Sequence, residues 1–248
     1  EYDHTHSELE KSRETLLQAE KLVLVGKLAA GVAHSIRNPL TSVNMRLFSL
    51  GRTLQLEGPQ KEDFEVIADE IRHIDTIVQN FLEFSRRPKL RPQPVNPSEL
   101  VDTTLQLLHH RLHSYEVEIR VERDLTPLPM IHADPEQLKE VLVNLIVNAC
   151  EAMGRGGDIV IREDVPEQPR GGRVVRIRVV DSGPGIPESL QEKILQPFFT
   201  TKDEGTGLGL SIAARILEEH GGFLDVESKE GEGTTFTIIL PLGETLHE

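Results

Sequence analysis

The 248-residue chain carries 41 acidic against 27 basic side chains, a net charge of −14 that weighs against nucleic acid and anionic membrane surfaces as partners, since both require cationic contacts to phosphate. Its lone cysteine, Cys150, excludes an intrachain disulfide and fits a reducing compartment, and no apolar run of about 18 residues is present to span a bilayer. The length suffices for two domains, each burying its own core.

The chain opens inside a helical pattern, with neither a starting methionine nor a signal peptide, so it is expected to be a cytoplasmic fragment with room for a sensor or membrane anchor upstream. Small and apolar residues recur at spacings of three and four, first as Leu9, Ser12, Leu16, Ala19, Val23, Gly26, Ala30 and Ala33. A second stripe runs through Ile36, Leu40, Val43, Leu47, Leu50 and Leu54. This near-heptad spacing predicts one long helix that packs in a bundle. The two stripes break at His34, which leaves it beside the seam. Pro39 removes an internal hydrogen bond and is expected to bend the helix. Gly58-Pro59 reads as a turn, and Phe64, Ile67, Ile71, Ile74, Val78 and Phe81 mark a second helix. Two amphipathic helices bury too little surface alone, so the hairpin is expected to pair with a second copy as a four-helix bundle. The basic, proline-punctuated stretch Arg86-Arg87-Pro88-Lys89-Leu90-Arg91-Pro92-Gln93-Pro94 ends this pattern and reads as an interdomain linker, bounded at residues 88–95.

Beyond it the periodicity changes. A helix over Ser98–His113 precedes the alternating strand Val117-x-Ile119-x-Val121, and Asp134-Pro135 supplies a cap and a first helical residue for another helix. Strands are predicted at Asp158–Arg162, Val174–Val180, Phe223–Val226 and Thr235–Leu240, with Pro166–Gly172 as a hairpin connection. Helices and strands in this order predict an α/β sandwich with a mixed sheet and helices on one face.

Three elements within this second region together suit ATP held without a P-loop. Asn144 and Asn148, four apart, share a helix face and can point at one phosphate–metal cluster. Asp181, at the end of a strand and followed by Gly183 and Gly185, can accept a hydrogen bond from an exocyclic amine such as that of adenine. Gly205-Thr206-Gly207-Leu208-Gly209-Leu210 opens a further helix whose backbone N–H groups favour phosphate. An amide oxygen combined with triphosphate oxygens suits Mg²⁺, which makes Asn148 the candidate metal ligand. Residues 187–206 carry few strand signals and suit a movable cover, within which Lys202 is a candidate phosphate partner.

With these motifs goes His34-Ser35-Ile36-Arg37-Asn38-Pro39-Leu40. From about Lys21 to Leu242 the chain resembles a bacterial two-component sensor histidine kinase. The His34 segment is similar to that family's H-box, Asn144–Ala152 to the N-box, and Asp181–Ile186 to the G1 box. Pro197–Lys202 looks like the F-box, Gly205–Leu210 like the G2 box, and Gly231–Phe236 like the closing glycine-rich strand entry. The resemblance implies a homodimer in which His34 is phosphorylated from Mg²⁺-ATP and passes the phosphoryl group to an aspartate of a response regulator. It extends the nucleotide contacts to Ile186 and Thr235. It divides the chain into a helical extension (1–25), a dimerisation and phosphotransfer domain (26–87), the linker, a catalytic ATP-binding domain (96–243) and a tail (244–248).

Ser35 departs from the family pattern, where a Glu or Asp usually follows the phosphoacceptor. A carboxylate can take the imidazole's second proton, whereas a hydroxyl cannot keep it at neutral pH. Asn38, one helical turn after His34, matches the family position that orients water for dephosphorylating the regulator. Ser35 with Asn38 therefore leaves a phosphatase-biased form of the same protein as an alternative, and a gyrase- or chaperone-type ATPase as another. The remaining histidines (His4, His6, His73, His109, His110, His113, His132, His220 and His247) read as ordinary helix or surface residues.

Overall fold

The computed structural model describes residues 35–54, 57–85, 90–124, 128–166, 172–202 and 205–242; the side chains of His73, Thr76 and residues 79–85 are not described. His34, the helical extension and the tail lie outside these residues. The chain divides into two compact units, Glu1–Pro88 and Lys89–Glu248.

In the first unit, helix α1 (residues 35–53) runs through Pro39, and α2 follows at Pro59–Ser85. Gly58, at φ +57, makes the turn before Pro59 opens α2, a φ that L side chains rarely adopt. Val78 is buried against Leu40 and Ile74. Ile36, Val43, Met45, Phe48, Leu50, Leu54, Val66, Ile67 and Ile77 remain exposed.

The second unit holds β1 (Gln93–Val95), α3 (Pro97–Ser114), β2 (Val117–Arg123), β3 (Ile131–Ala133), α4 (Pro135–Met153), β4 (Gly157–Asp164), β5 (Val174–Asp181), α5 (Glu188–Gln191), α6 (Gly209–Glu219), β6 (Phe223–Lys229) and β7 (Gly233–Pro241). The larger sheet has the order β2-β4-β5-β7-β6; β2 and β4 are parallel, and the remaining neighbours antiparallel. This is the mixed sheet expected from the sequence. One face presents Ile159, Ile161, Val175, Ile177, Val179, Phe236, Ile238 and Leu240, all buried. Helix α3 packs against β2, α4 against β4 and β5, and α6 against β6 and β7. On the opposite face, cross-strand ion pairs replace a second layer: Arg120 with Asp158 at 2.9 Å, Arg162 with Glu122 at 2.7 Å, and Arg176 and Arg178 with Asp164.

The second unit begins earlier than the sequence suggests. Gln93–Val95, expected within the linker, are a strand paired antiparallel with Ile131–Ala133, itself not predicted. The N–H of Arg91 also donates to Asp134 Oδ2 at 3.0 Å. Pro94 has no N–H to give, which a two-stranded edge pairing tolerates.

Candidate active site

The helices α4 and α6 and one strand end build the site. Asp134 caps α4, accepting from the N–H groups of Glu136 (3.1 Å) and Gln137 (3.4 Å), with Pro135 at the first helical position. The apolar stripe Leu138, Val141, Leu142, Leu145, Ile146 and Ala149 is buried, which fixes the rotation of α4. Asn144 and Asn148 are thereby left half-buried along the edge of that stripe. His220, read from sequence as an ordinary residue, ties the end of α6 to the start of α4. Its Nε2 accepts from the Asp134 N–H at 2.9 Å, while Nδ1 lies 2.7 Å from the Ile216 carbonyl oxygen.

Asp181 ends β5. Strand register aligns it with Thr234 of β7, and Thr234 in turn with Ser228 of β6, all on the helix-covered face. Its side chain is 5 % exposed, and Oδ1 accepts from the N–H groups of Gly183 (2.9 Å) and Thr234 (3.3 Å). Burial pushes its carboxyl above the usual carboxylate range, opposed by those two N–H donors. A buried acceptor held in place by backbone suits an amine donor of a planar base.

The loop after Asp181 is clamped to the β6–β7 turn. A Cβ on Gly185 would stand 2.1 Å from the Lys229 carbonyl oxygen, and one on Gly233 2.1 Å from that of Asp181. Both glycines have positive φ, so any side chain would be strained as well as crowded. The Gly231 N–H donates to the Pro184 carbonyl (2.7 Å) and the Ile186 N–H to Ser228 Oγ (2.8 Å). Gln191 Nε2 donates to the carbonyls of Ile186 (3.0 Å) and Ser228 (2.8 Å). Ile186 is therefore placed through its backbone. Below the loop, a Cβ on Gly183 would come within 3.3 Å of Met153 Cγ.

The residues from Gly205 lead into α6, which packs on α4. A Cβ on Gly205 would meet Thr200 Oγ1 at 2.3 Å, and one on Gly207 (φ +64) would meet the backbone of Phe198 at 2.5 Å. Leu208 N–H donates to Thr206 Oγ1 at 3.4 Å; Leu208 is buried and gives α6 no side-chain cap, while Leu210 lies half-buried in its first turn. N–H groups at such a helix start, with the dipole behind them, favour an anion. A Cβ on Gly209 would lie 3.5 Å from Asn144 Oδ1, which places that amide beside the same helix start.

Lys202 Nζ donates to Asn148 Oδ1 and Glu151 Oε2, each at 2.9 Å. Among the described residues no group of three or more His, Cys, Asp and Glu could hold a metal on its own. Asn148 Oδ1 nonetheless already faces a cation, here the ammonium of Lys202. The donor chemistry therefore fits a hard metal ion that brings most of its other oxygen ligands with a triphosphate.

Thr235 is a correction to the sequence reading. The alternation that turns Thr234 toward Asp181 puts Thr235 beside Val180 and Glu227 on the opposite, ion-paired face. Thr234 and Ser228, missed from sequence, line the site instead. Counting alternate residues back from the buried Phe236 would have found Thr234. Ser35 and Asn38 are exposed on α1 in the first unit.

Two family models match: "His Kinase A (phospho-acceptor) domain" over residues 24–89 and "Histidine kinase-, DNA gyrase B-, and HSP90-like ATPase" over residues 133–244. The sensor histidine kinase ZraS of Escherichia coli (strain K12) is 39% identical over 94% of this chain and 49% of its own length. The chain spans about half the length of the curated relatives it matches. Full-length ShkA, in complex with AMPPNP, superposes with a TM-score of 0.74 and 28% identity, covering 87% of this chain and 45% of ShkA. Histidine kinase ThkA, in complex with response regulator protein TrrA, gives 0.66 and 34% identity over 95% of this chain and 67% of ThkA.

Proposed function

Because the chain belongs to the two-component sensor histidine kinases, we propose that it binds ATP in its second unit, transfers the γ-phosphoryl group to a ring nitrogen of His34, and passes it on to an aspartate of a response regulator. The observation that carries this reading is that α4 brings together the buried, backbone-held Asp181, whose Gly183 lies against Met153, and the glycine-entered start of α6, whose Gly209 lies against Asn144 and which has no side-chain cap. Asp181 accepts from the adenine amine, with Thr234 and Ser228 fixing the strand ends around it. The α6 N-terminus and Asn144 receive the phosphates. Asn148 would hold Mg²⁺, which would neutralise charge on the triphosphate oxygens. In the transfer, the γ-phosphorus forms a bond to the imidazole nitrogen as its bond to the bridging oxygen of ADP breaks, with little covalent work left for the protein beyond positioning. AMPPNP in ShkA and the regulator TrrA on ThkA support the same ligand and partner here.

The domain boundaries follow: residues 26–87 dimerise and carry the phosphoacceptor, and residues 96–243 bind nucleotide, preceded by β1. The exposed apolar residues of α1 and α2 support a homodimer in which they meet a second copy. Incubation with γ-labelled ATP should place acid-labile label on the protein, and His34→Gln should abolish it. Undiminished label in that variant would move the phosphoacceptor elsewhere.

Ser35 and Asn38, both exposed on α1, favour a second reading in which regulator dephosphorylation outweighs autophosphorylation. Asn38 orients the attacking water, and Ser35 lacks the carboxylate that takes the imidazole proton. Dephosphorylation of a phosphorylated cognate regulator should then persist in the parent chain and be lost in Asn38→Ala.

A further inference from the structure

Lys202, Asn148 and Glu151 meet at one corner of the site, and the nucleotide reading above does not explain why. We infer that Lys202 is a stand-in for the metal: its ammonium holds Asn148 Oδ1 until Mg²⁺ arrives with the nucleotide, and Glu151 sets how firmly the ammonium is held. The inference rests on the nucleotide reading and adds a regulation of metal entry to it.

The geometry is specific. Asn148 and Glu151 lie three apart on α4, and therefore on one face, with a single Nζ at 2.9 Å from an oxygen of each. Arg111 also reaches the same carboxylate, 3.5 Å from Oε1. The backbone of Lys202 is set by its own turn, where its N–H donates to Thr200 Oγ1 at 3.1 Å and its carbonyl accepts from the Gly205 N–H at 3.2 Å.

Mg²⁺ and an ammonium cannot share the amide oxygen. The metal binds at about 2.0–2.1 Å and demands near-octahedral geometry. A monovalent cation on the same oxygen would sit within a few ångströms of it, where like charges repel strongly. Entry of the metal therefore requires Lys202 to leave Asn148. Glu151 opposes that departure through its ion pair, yet keeps the ammonium near the phosphates once it has left. Both Lys202 and Glu151 are about one-third exposed, so the hold is weak and reversible rather than blocking. Glu151 and Lys202 are on this account positioning residues.

The test is a Mg²⁺ titration of the binding of a fluorescent, non-hydrolysable ATP analogue to the full chain, which needs no turnover. Lys202→Met removes the competitor, and Glu151→Gln loosens it while keeping the ammonium. Each should lower the Mg²⁺ concentration at half-effect by ~2- to 5-fold, the range set by a partly exposed ion pair. Lys202→Arg, which keeps the cation, should retain the parent midpoint. Without magnesium, Lys202→Met should bind the analogue more weakly than the parent, whereas Glu151→Gln should not. A midpoint unmoved in both variants that still bind the analogue would overturn the stand-in. A raised midpoint in Glu151→Gln would overturn it too, by making the carboxylate a metal ligand. Failure of the parent chain to bind the analogue at any magnesium level would instead remove the nucleotide reading itself.

Discussion

The two units solve the problem of apolar surface in opposite ways. Among the described side chains, the first unit buries a single hydrophobic residue, Val78, and leaves Met45, Phe48 and Val66 about two-thirds exposed (70%, 67% and 66%). The second unit buries Val141, Leu145, Ile159, Ile161, Val175, Val179 and Leu217 to below one per cent between three helices and a five-stranded sheet. One unit closes its core within the chain, whereas the other leaves apolar side chains uncovered, which supports the proposed pairing with a second copy. The proposed chemistry divides along the same line, with the nucleotide assigned to strand and helix ends of the second unit and the phosphoacceptor to the first.

That division can be challenged from each side. The largest expected effect lies in the second unit. Asp181→Asn exchanges an acceptor-only carboxylate for an amide that can also present donors, losing a charge-assisted bond worth ~1.5–3 kcal/mol. ATP affinity should fall ~10- to 100-fold by calorimetry, with the oligomeric state untouched. Affinity within about twofold of the parent would remove Asp181 from the base pocket. Next comes Ser35→Glu in the first unit, which restores a proton acceptor beside the phosphoacceptor. Autophosphorylation should accelerate by roughly tenfold or more, while ATP affinity holds, because general-base assistance acts on the step and not on binding. Equal rates would make Ser35 a neutral variation and take away the main support for a phosphatase bias.

Cutting the chain tests the comparison directly, as a twofold difference in mass. Residues 1–87 should be dimeric by light scattering, and residues 89–248 monomeric and still able to bind ATP. The cut is placed before Arg91 and β1 because both pair within the second unit. The opposite partition of oligomeric state would refute the division. The smallest effect is on stability. A carboxyl whose folded pKa is raised favours the folded state below its unfolded value of about 3.9, and that contribution is lost as pH climbs through the raised value. At neutral pH, Asp181→Asn should therefore stabilise the nucleotide-free second unit by about 0.5–2 kcal/mol, a gain that disappears toward acid. A melting temperature lowered at neutral pH would mean that the backbone donors to Asp181 outweigh its burial.

Much of this architecture was legible where periodicity or capping chemistry acts locally. Asp134-Pro135 announces α4 because cap and first residue are both chemically suited, and β2 shows itself by the alternation from Val117 to Val121. Shorter elements escaped. Strands β1 and β3 have three residues each and α5 four, too few for any period to register. At the site, the glycine motifs indicated where backbone must approach closely, and Gly185, Gly207 and Gly233 each have other backbone within 2.5 Å of where a Cβ would stand. The motif alone does not separate Thr234 from Thr235; the alternation counted from Phe236 does, because neighbours point to opposite faces of a pleated strand. Sequence could not pair Lys202 with Glu151, 51 positions apart, since only the folded sheet and helices bring them together.

The order of strands in the larger sheet also bears on how the site comes into being. The β4–β5 and β6–β7 pairs join stretches close in sequence, whereas β5–β7 and the parallel β2–β4 pair join distant ones. Local pairings form fast and distant ones slowly, because chain entropy must be lost before they reward it. Asp181 and Thr234 lie in the β5–β7 pairing, so the corner proposed to hold the base is expected to take shape late in folding. Contacts made after the rate-limiting barrier act on the reverse reaction. A nucleotide seated there will slow the unravelling of the second unit many-fold while barely hastening its formation, so that occupancy sets how long the unit lasts rather than how quickly it is made.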